Sequence, residues 1–277
     1  MNSIHFNGKI LDFSTPKVMG ILNCTSDSFF DGGKFFSESA ALQQAEKMLI
    51  EGADIIDVGG MSTRPGAEPV SSNEEIKRIE PVIAGLRREF PGIFISADTF
   101  RVEVAQVALD AGADIVNDIS GGELDKDMFT FIAKRKVPYI LMHMQGTPRN
   151  MQINPTYEHV VSEIFQYFIQ KVRLLKSMGI EEVIIDPGFG FGKTIAHNFE
   201  LLNQLEVFSI LEKPVLAGLS RKSMLYKTIG GGPEEALSAT AAVHMVALEK
   251  GAGILRVHDV KEAKDVIKIF SAINAVH

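Results

Sequence analysis

Short runs of apolar and β-branched residues alternate along this chain with longer stretches of helical periodicity, and this alternation limits the folds that it can adopt. Runs that lack a polar face are typical of parallel strands buried on both sides. Helical stretches between them indicate βαβ units, and eight such units close most simply into a (β/α)8 barrel. The eight runs are residues 18–23, 54–60, 94–99, 115–120, 139–144, 183–188, 215–220 and 254–259.

The length of the chain, 277 residues, fits a single barrel. Such barrels use about 250 residues as one domain, and no linker-like segment interrupts the alternation. We therefore expect one domain over residues 1–277. Residues 1–14 precede the first run, and Asn7-Gly8 within them predicts a short N-terminal hairpin that plugs the barrel from below.

Composition excludes several classes of protein. The formal net charge is -7 and no long run of Lys or Arg occurs, so the basic surface of a nucleic-acid-binding protein is missing. The single cysteine, Cys24, rules out an internal disulfide framework and fits a reducing compartment. No targeting segment and no run of about 18 apolar residues occurs. We expect a cytoplasmic protein with no membrane partner.

A short phrase recurs where three of the predicted strands begin. Residues 52–55, 112–115 and 251–254 each start with Gly-Ala and follow a helical stretch, and residues 179–182 form a looser copy. A glycine after a helix commonly adopts the left-handed conformation that ends it. These phrases therefore predict the αβ turns at the amino-terminal face of the barrel, which serves stability.

Three connections on the opposite face are long and rich in Gly, Pro, Ser, Thr and Asn. They span residues 24–37, 61–73 and 145–157, after the first, second and fifth predicted strands. Long loops inside a compact domain usually carry function. We expect these loops to act as lids over a site.

Polar side chains stand at or just past the carboxyl end of every predicted strand. For a single residue, capping of the following helix is an equally good explanation. Capping does not explain polar residues at all eight strand ends, and in a barrel these ends converge on one mouth. The residues are Asn23, Asp57, Asp98, Asn117, Asp118, His143, Asp186, Ser220, Lys222, Arg256 and His258.

Common catalytic motifs do not explain this mouth. Residues 186–194 end in Gly-Lys-Thr, but Pro187 stands where a phosphate-binding loop requires glycine, so we expect the glycines to make room for a flat ligand. Zinc-binding spacings are missing, and no nucleophile motif surrounds Cys24, which we expect to be a packing residue. The sequence leaves a Mg²⁺ site open as an alternative, because Asn23 and Asp31 supply oxygens beside a site where phosphates can complete the ligand shell of the ion.

Seven phrases, in order over about residues 18–260, together resemble the dihydropteroate synthases, pterin-binding enzymes of folate biosynthesis. They are residues 19–33 (MGILN, then DSF and DGG), 59–66 (GGMSTRPG), 116–120 (VNDIS), 141–148 (LMHMQGTP), 186–193 (DPGFGFGK), 220–223 (SRKS) and 256–260 (RVHDV). The resemblance implies that para-aminobenzoate displaces pyrophosphate from 6-hydroxymethyl-dihydropterin pyrophosphate. The product is dihydropteroate.

The resemblance also implies how the pterin is held. One edge of a pterin carries adjacent N–H donors and the other carries ring acceptors. Asp98, Asn117 and Asp186 match the residues of the family that contact the pterin edge, and Lys222 matches the donor to the opposite edge. A wrong ring leaves buried polar groups unpaired, at a cost of roughly 1–3 kcal/mol each.

Pyrophosphate leaves as a multiply charged anion, which preplaced cations and a metal stabilise. Arg256 and His258 match the anion site of the family, and Asn23 matches its Mg²⁺ and pyrophosphate residue. The resemblance implies that C–O cleavage precedes attack by the amine and leaves a cationic pterin methylene. Asp98 and the loop residue Asp31 are the candidates that stabilise this cation. We expect Asp98, Asp31, Lys222 and Arg256 to carry the chemistry.

Para-aminobenzoate needs a donor for its carboxylate and a wall for its ring. By resemblance, Ser223 near a helix N-terminus holds the carboxylate. Other positions that match the family shape the ring site and its closing loop, and ordinary core packing is the competing explanation for the two phenylalanines. These positions are Phe29, Pro65 and Phe191 for the ring and Thr63 and Arg64 for the loop.

Two positions depart from the family pattern, and two rival functions share part of it. Many relatives carry Val and Pro where this chain has Cys24 and Ser26, and loss of the proline should loosen the first loop and alter para-aminobenzoate or sulfonamide affinity. A methyltetrahydrofolate-dependent methyltransferase would share Asp98, Asn117 and Asp186 but needs no pyrophosphate site. A non-catalytic pterin-binding paralogue would show a damaged catalytic set. The family is usually homodimeric, so we expect a homodimer.

Overall fold

The computed structural model describes residues 3–25, 30–31, 35–36, 38–62 and 70–275. Twelve strands and nine helices follow one another in these residues, together with two 3-10 helices at Leu205–Leu211 and Pro233–Glu235. In chain order they are β1 (Ser3–Phe6), β2 (Lys9–Asp12), β3 (Lys17–Asn23), β4 (Phe30–Asp31), β5 (Phe35–Phe36), α1 (Glu38–Ile50), β6 (Ile55–Gly59), α2 (Ser72–Glu89), β7 (Phe94–Asp98), α3 (Val102–Ala111), β8 (Ile115–Asp118), α4 (Met128–Arg135), β9 (Tyr139–Met142), α5 (Val160–Ser177), β10 (Val183–Asp186), α6 (Ile195–Asn203), β11 (Leu216–Ala217), α7 (Ser223–Ile229), α8 (Leu237–Glu249), β12 (Ile254–Val257) and α9 (Val260–Asn274).

Eight parallel strands form the predicted (β/α)8 barrel. Their order is β10-β9-β8-β7-β6-β3-β12-β11. The two ends of this order meet at a parallel bridge between Ile185 and Val215, where the Ile185 N–H donates to the Pro214 carbonyl over 3.0 Å. All eight predicted strands are confirmed, and all but β3 end before their predicted last residue. The residues past each ladder belong to the mouth.

The inner face of the barrel is apolar at its amino-terminal end. One layer of buried side chains comes from the strand starts, and each strand turns its next residue outward against the helices. This is why the strands lack a polar face. The inner layer contains Met19, Ile55, Phe94, Ile115, Ile140, Ile184, Leu216 and Ile254.

The N-terminal hairpin closes this apolar end, as predicted. β1 and β2 pair antiparallel around Asn7 and Gly8, whose φ angles of 49° and 75° are those of a tight hairpin turn. Ile4 and Leu11 are buried and pack into the inner layer. The hairpin is therefore a plug, and it keeps water away from the bottom of the barrel.

The glycines of the repeated phrase lie at αβ turns, as predicted. Gly52, Gly112, Gly179 and Gly251 all have positive φ angles, between 79° and 116°. Two copies carry an aspartate that ties the turn to a strand: Asp54 accepts from the Val18 N–H over 2.8 Å, and Asp114 accepts from the Ile95 N–H over 2.9 Å. The repeat therefore stabilises the lower face.

The long connections follow the strands for which they were predicted. They run over residues 24–37 after β3, 60–71 after β6 and 143–159 after β9. Within the first, β4 and β5 pair antiparallel. Among the described residues, no helix is long and apolar enough to cross a membrane.

The plug generates a stability prediction. Ile4→Ala should lower the free energy of unfolding by about 2–5 kcal/mol, because Ile4 is 0% exposed and its loss leaves a cavity in a close-packed layer. Ile10→Ala is the matched control on the same hairpin, since Ile10 is 61% exposed, and it should change the value by less than about 0.5 kcal/mol. Urea unfolding followed by circular dichroism measures both. Equal losses would contradict the assignment of the hairpin as a plug.

Candidate active site

The mouth of the barrel is polar where the bottom is apolar. The inner face carries Ile or Phe at the strand starts and charged or amide side chains two or four positions later. Asp57 on β6 is the register partner of Ser96 on β7, and Asp98 is the register partner of Asn117 on β8. Because parallel register partners point to the same face, these groups meet inside the barrel.

Arg256 joins three strands at this level. Its Nε donates to Asp57 Oδ2 over 2.6 Å and its NH2 group donates to Asp98 Oδ2 over 2.7 Å. The Asn117 side-chain NH2 donates to the same Asp57 oxygen over 3.1 Å. One guanidinium from β12 therefore neutralises carboxylates on β6 and β7 and shares one of them with an amide on β8.

Asp98 lies in an environment that disfavours a second negative charge. Burial raises the pKa of Asp98 above the ordinary aspartate range; Arg256 opposes this rise, whereas the neighbouring charge of Asp57 adds to it. Two carboxylates that share one cation in a desolvated site are expected to behave in this way. Asp98 is thus able to hold a proton closer to neutral pH than an exposed aspartate.

A cavity opens above this cluster. Gly218 leaves room at its base, since a Cβ there would lie 3.9 Å from Asp186 Oδ2. Burial raises the pKa of Asp186, and the Gly188 N–H, which donates to Asp186 Oδ1 over 2.7 Å, opposes the rise. The cavity is lined by Asn117, Ile119, Met142, Asp186, Phe189, Phe191, Gly218, Lys222 and Arg256.

Lys222 brings a cation to the same cavity. It is the N-terminal capping residue of α7, and its Nζ lies 4.3 Å from the centroid of the Phe191 ring. Burial lowers the pKa of Lys222 to about 8, although Asp186 opposes this change. The cavity therefore combines an aromatic wall, a carboxylate, an amide and a cation, which suits a flat ligand with both donors and acceptors.

The glycine-rich phrase after β10 has a different role from the one expected. Gly188 and Gly192 have positive φ angles of 71° and 63°. A Cβ would lie 2.0 Å from the His143 carbonyl oxygen at Gly188, and 2.4 Å from that of Gln145 at Gly192. These two glycines make room for the neighbouring loop after β9, so for them the expectation that they make room for a ligand is wrong. A Cβ at Gly190 would instead lie 3.1 Å from the side chain of Lys222, which lines the cavity.

Lys193 fastens those two loops together. Its Nζ donates to the carbonyls of Gly188 over 2.9 Å and Phe191 over 3.0 Å, and lies 3.1 Å from His143 Nδ1. Burial lowers the pKa of Lys193 to about 7 and that of His143 to about 2. The amino group of Lys193 is therefore held by backbone carbonyls, whereas the lysine of a phosphate-binding loop contacts the phosphates. The sequence analysis did not predict this clamp.

Two further polar pairs stand on the β11 and β12 side of the mouth. Ser220 Oγ lies 3.0 Å from His258 Nδ1, and Arg221 binds Asp259 through two contacts of 2.8 and 2.7 Å. Ser223 is the first residue of α7. The structure therefore brings the predicted residues His258 and Ser223 to the rim that also carries Lys222.

Other strand-end residues have structural roles. Asp118 is saturated by Ser120, Gly122 and Tyr139, each within 2.9 Å. Cys24 is buried, as expected of a packing residue. The sequence analysis assigned no role to Asp57. The signal that could have indicated one is a single charged residue within the apolar run Ile-Ile-Asp-Val.

The position of Asn23 agrees with a metal ion that is held mainly by the phosphates of a substrate. It is half-buried at the carboxyl end of β3. Within the described ranges, no group of three or more His, Cys, Asp or Glu side chains is placed to hold a metal ion. Mg²⁺ typically takes one or two protein oxygens and completes its shell with phosphates and water. A single Asn oxygen agrees with that mode and not with a protein cage.

Several predicted site residues lie outside the described residues. For Asp31 the structure gives the backbone of β4 and not the side chain. The others lie in the loops after β3 and β6. They are Phe29, Thr63, Arg64 and Pro65, together with Ser26.

Comparison with known proteins identifies this arrangement. The family model of pterin binding enzymes matches residues 19–258, which run from within β3 to just past the end of β12. The fold and the mouth are thus those of a pterin-binding barrel enzyme.

Relatives narrow the class further. The dihydropteroate synthase of Haemophilus influenzae is 45% identical over 271 residues, covering 97% of this chain and 98% of that protein. That of Escherichia coli is 44% identical over 267 residues, covering 96% and 94%. The chain belongs to the dihydropteroate synthase family, whose members are transferases of folate biosynthesis, as the sequence phrases predicted.

Solved structures agree with this assignment. The Yersinia pestis dihydropteroate synthase in a sulfonamide drug complex superposes with a TM-score of 0.93 at 40% identity, covering 99% of this chain and 100% of that one. The Xanthomonas albilineans enzyme with 4-aminobenzoic acid gives a TM-score of 0.93 at 39% identity, covering 100% and 99%.

The buried Lys222 generates a prediction about pH. Its pKa of about 8 in the folded state lies below the ordinary 10.5, so between these values the unfolded chain binds more protons than the folded one. The stability of the wild type should therefore rise with pH through this window relative to Lys222→Met, which lacks the group. Denaturant unfolding of both proteins at pH 7 to 10.5 measures the difference.

Lys227→Met is the matched control for this prediction. Lys227 is exposed on the same helix, so its replacement should leave the pH profile of stability parallel to that of the wild type. A difference between wild type and Lys222→Met that stays flat across the window would contradict the burial argument.

Proposed function

We propose that this chain condenses 6-hydroxymethyl-7,8-dihydropterin pyrophosphate with para-aminobenzoate to give 7,8-dihydropteroate and pyrophosphate. The observation that carries the proposal is that Asn117, Asp186, Lys222 and Arg256 line one and the same cavity. A pterin needs acceptors along one edge, a donor along the other and a flat apolar wall. This cavity offers all three.

The pterin ring lies in this proposal between the acidic side of the cavity and Lys222. Asp186 and Asn117 accept hydrogen bonds from the ring N–H donors, and Asp98 completes that edge. Lys222 donates to the ring acceptors on the other edge, and Phe191 stacks beside the ring. Because these groups are buried, an analogue that leaves one of them unpaired loses affinity.

Pyrophosphate leaves toward the rim formed by β12 and α7. Arg256 supplies a cation whose geometry two carboxylates already fix, and His258 supplies a second donor beside it. Asn23 is the residue that would hold Mg²⁺, which when bound neutralises part of the charge of the leaving group. Preplaced charge of this kind lowers the barrier because it requires no reorganisation during the reaction.

Cleavage of the C–O bond ahead of amine attack leaves positive charge on the pterin methylene. Asp98 stands below the ring in this proposal and stabilises that charge in its ionised form. The loop residue Asp31 is the second candidate. Both act electrostatically, and neither needs to form a covalent bond.

Para-aminobenzoate binds at the rim. Ser223 at the start of α7 receives its carboxylate, and Phe191 gives one wall of its ring site. Phe29, Pro65, Thr63 and Arg64 complete this site in the proposal on the strength of the family phrases alone. The aniline nitrogen is a weak base, and it attacks the methylene once that carbon is cationic.

Activity is tested by following pyrophosphate and dihydropteroate together. The purified protein with Mg²⁺ and the pterin pyrophosphate should form both products in equal amounts only when para-aminobenzoate is present. Turnover that does not depend on para-aminobenzoate would contradict the proposal. Pterin binding without turnover would point to the non-catalytic paralogue or to the methyltransferase.

Asp186→Asn tests the pterin edge within the same assay. It replaces an acceptor with a donor against the ring N–H groups, so kcat/KM should fall at least about 100-fold. Asp114→Asn is the matched control, because Asp114 is equally buried but lies at the other end of the barrel. It should retain activity within about threefold at a temperature where the protein is folded. Equal losses for both variants would mean that destabilisation explains the effect.

We also propose that the protein is a cytoplasmic homodimer. The outward side of α8 supports the dimer, because Ala242 and Val246 are exposed while the opposite side is buried. The helix carries only one charged residue, Glu249. A helix that is apolar on both sides is usually covered by another surface. A second copy of the chain is the occupant that the family resemblance implies.

The dimer proposal is tested by sedimentation velocity. The wild type should sediment with about twice the chain mass of 30.3 kDa, and Val246→Glu should shift it toward the monomer because a charge then enters the apolar face. Ile50→Glu on α1 is the matched control, since Ile50 is 81% exposed. A Val246→Glu protein that keeps the mass of the wild type would place the interface elsewhere.

A further inference from the structure

Asp57 is a fully buried carboxylate of the mouth and has no role in the scheme above. Its side chain is 0% exposed, and its Oδ2 atom accepts both from Asn117 Nδ2 over 3.1 Å and from Arg256 Nε over 2.6 Å. Both of these partners line the cavity. Asp57 itself does not line it, so it acts on a ligand only through its neighbours.

The chemistry of Asp57 decides which way the Asn117 amide is turned. A carboxylate paired with a guanidinium carries no hydrogen and can only accept hydrogen bonds. The NH2 group of Asn117 must therefore face Asp57, which leaves its carbonyl oxygen for the cavity. An Asn without such a neighbour can present either end to a ligand, because its two ends have nearly the same shape.

We propose that Asp57 is a positioning residue for ring selectivity: it holds Asn117 with its carbonyl toward the ligand and so makes the pocket select a ring with an N–H donor at that edge. The inference rests on the proposed function, because it takes the ring to be a pterin. It adds the reason why the amide is an acceptor there. It also assigns the discrimination between donor and acceptor rings to a residue below the site.

Replacement of Asp57 leaves the rest of the cluster balanced. Arg256 keeps its 2.7 Å pair with Asp98 when Asp57 is removed, so no buried cation is stranded. In Asp57→Asn, the amide oxygen can take the place of Oδ2 and accept from the same two donors. Its NH2 group then faces the register partner Ser96, whose Oγ, like Asp57 Oδ1, has no hydrogen-bond partner among the described residues.

Two substitutions separate the role of Asp57 as a hydrogen-bond acceptor from its role as a charge. Asp57→Ala removes the acceptor and frees the Asn117 amide to turn. Asp57→Asn removes the charge and keeps the acceptor, so it should rescue selectivity. A merely structural role for Asp57 predicts no change in the preference for one ring over another in either variant.

The test uses 6-hydroxymethylpterin and 6-hydroxymethyllumazine, which carries a carbonyl in place of the 2-amino donor. Neither has a pyrophosphate, so contributions from the anion site are removed. Isothermal titration calorimetry gives the ratio of the two dissociation constants. The wild type should bind the pterin at least about 100-fold more tightly. Asp57→Ala should lower this ratio at least tenfold, and Asp57→Asn should keep it within threefold.

Two further variants complete the design. Ser96→Ala is the matched control, because it removes a buried polar atom next to Asp57 without touching Asn117 or Arg256, and it should keep the wild-type ratio within threefold. Asn117→Ala should lower the ratio as much as Asp57→Ala does, and the double variant should lower it no further. If Asp57→Ala does not fold, Asp57→Leu takes its place, because leucine has nearly the shape of aspartate but no acceptor, and the same loss of at least tenfold in the ratio is expected.

The outcomes distinguish the inference from the proposed function. An unchanged ratio in Asp57→Ala, or an Asp57→Asn ratio that falls as far as that of Asn117→Ala, would overturn the positioning role while pterin binding by the wild type stands. A wild type that binds neither probe would overturn the pterin site itself, and the inference with it.

Discussion

The double ion pair of Arg256 is the interaction on which the mouth depends. It joins β12 to β6 and β7 inside the barrel, between residues 199 and 158 positions apart in the chain. A buried charge is costly unless it is paired, so Arg256, Asp57 and Asp98 are compatible with the fold only once the strands have closed around them. The chemistry of the site and the closure of the barrel therefore require each other.

The two ends of the barrel divide stability from function. At the bottom, Ile4 and Leu11 of the hairpin seal a dry layer of aliphatic and aromatic side chains, whose burial is favourable without any partner geometry. At the mouth, Asp186 and Lys222 are buried at a cost that shows in their shifted pKa values. The lower layer supplies the stability that lets the upper one hold desolvated charges.

The sequence predicts what depends on local pattern. Eight apolar runs gave eight strands, Asn7-Gly8 gave the hairpin, and Gly52, Gly112 and Gly251 gave the αβ turns, because each signal lies within a few residues. It did not predict the partners of Asp57 or the contact of Lys193 with His143, since those contacts cross between strands and loops. The expectation for Gly188 and Gly192 was wrong for the same reason: their neighbour is the β9 loop, which local spacing does not reveal.

The charge balance of the mouth agrees with a proposed function in which the ring and the pyrophosphate are recognised at different depths. In the described part of the mouth, the carboxyl groups of Asp57, Asp98, Asp118 and Asp186 lie among Lys193, Lys222 and Arg256. Burial raises the pKa of Asp98, Asp118 and Asp186 and lowers the pKa of both lysines, so little net charge remains. A neutral flat ring can enter such a balanced cavity without bringing or losing charge, so its affinity comes from hydrogen-bond polarity. A multiply charged leaving group needs positive charge beyond that balance. In the proposed function, His258 at the rim and a Mg²⁺ ion held at Asn23 would add this charge to that of Arg256.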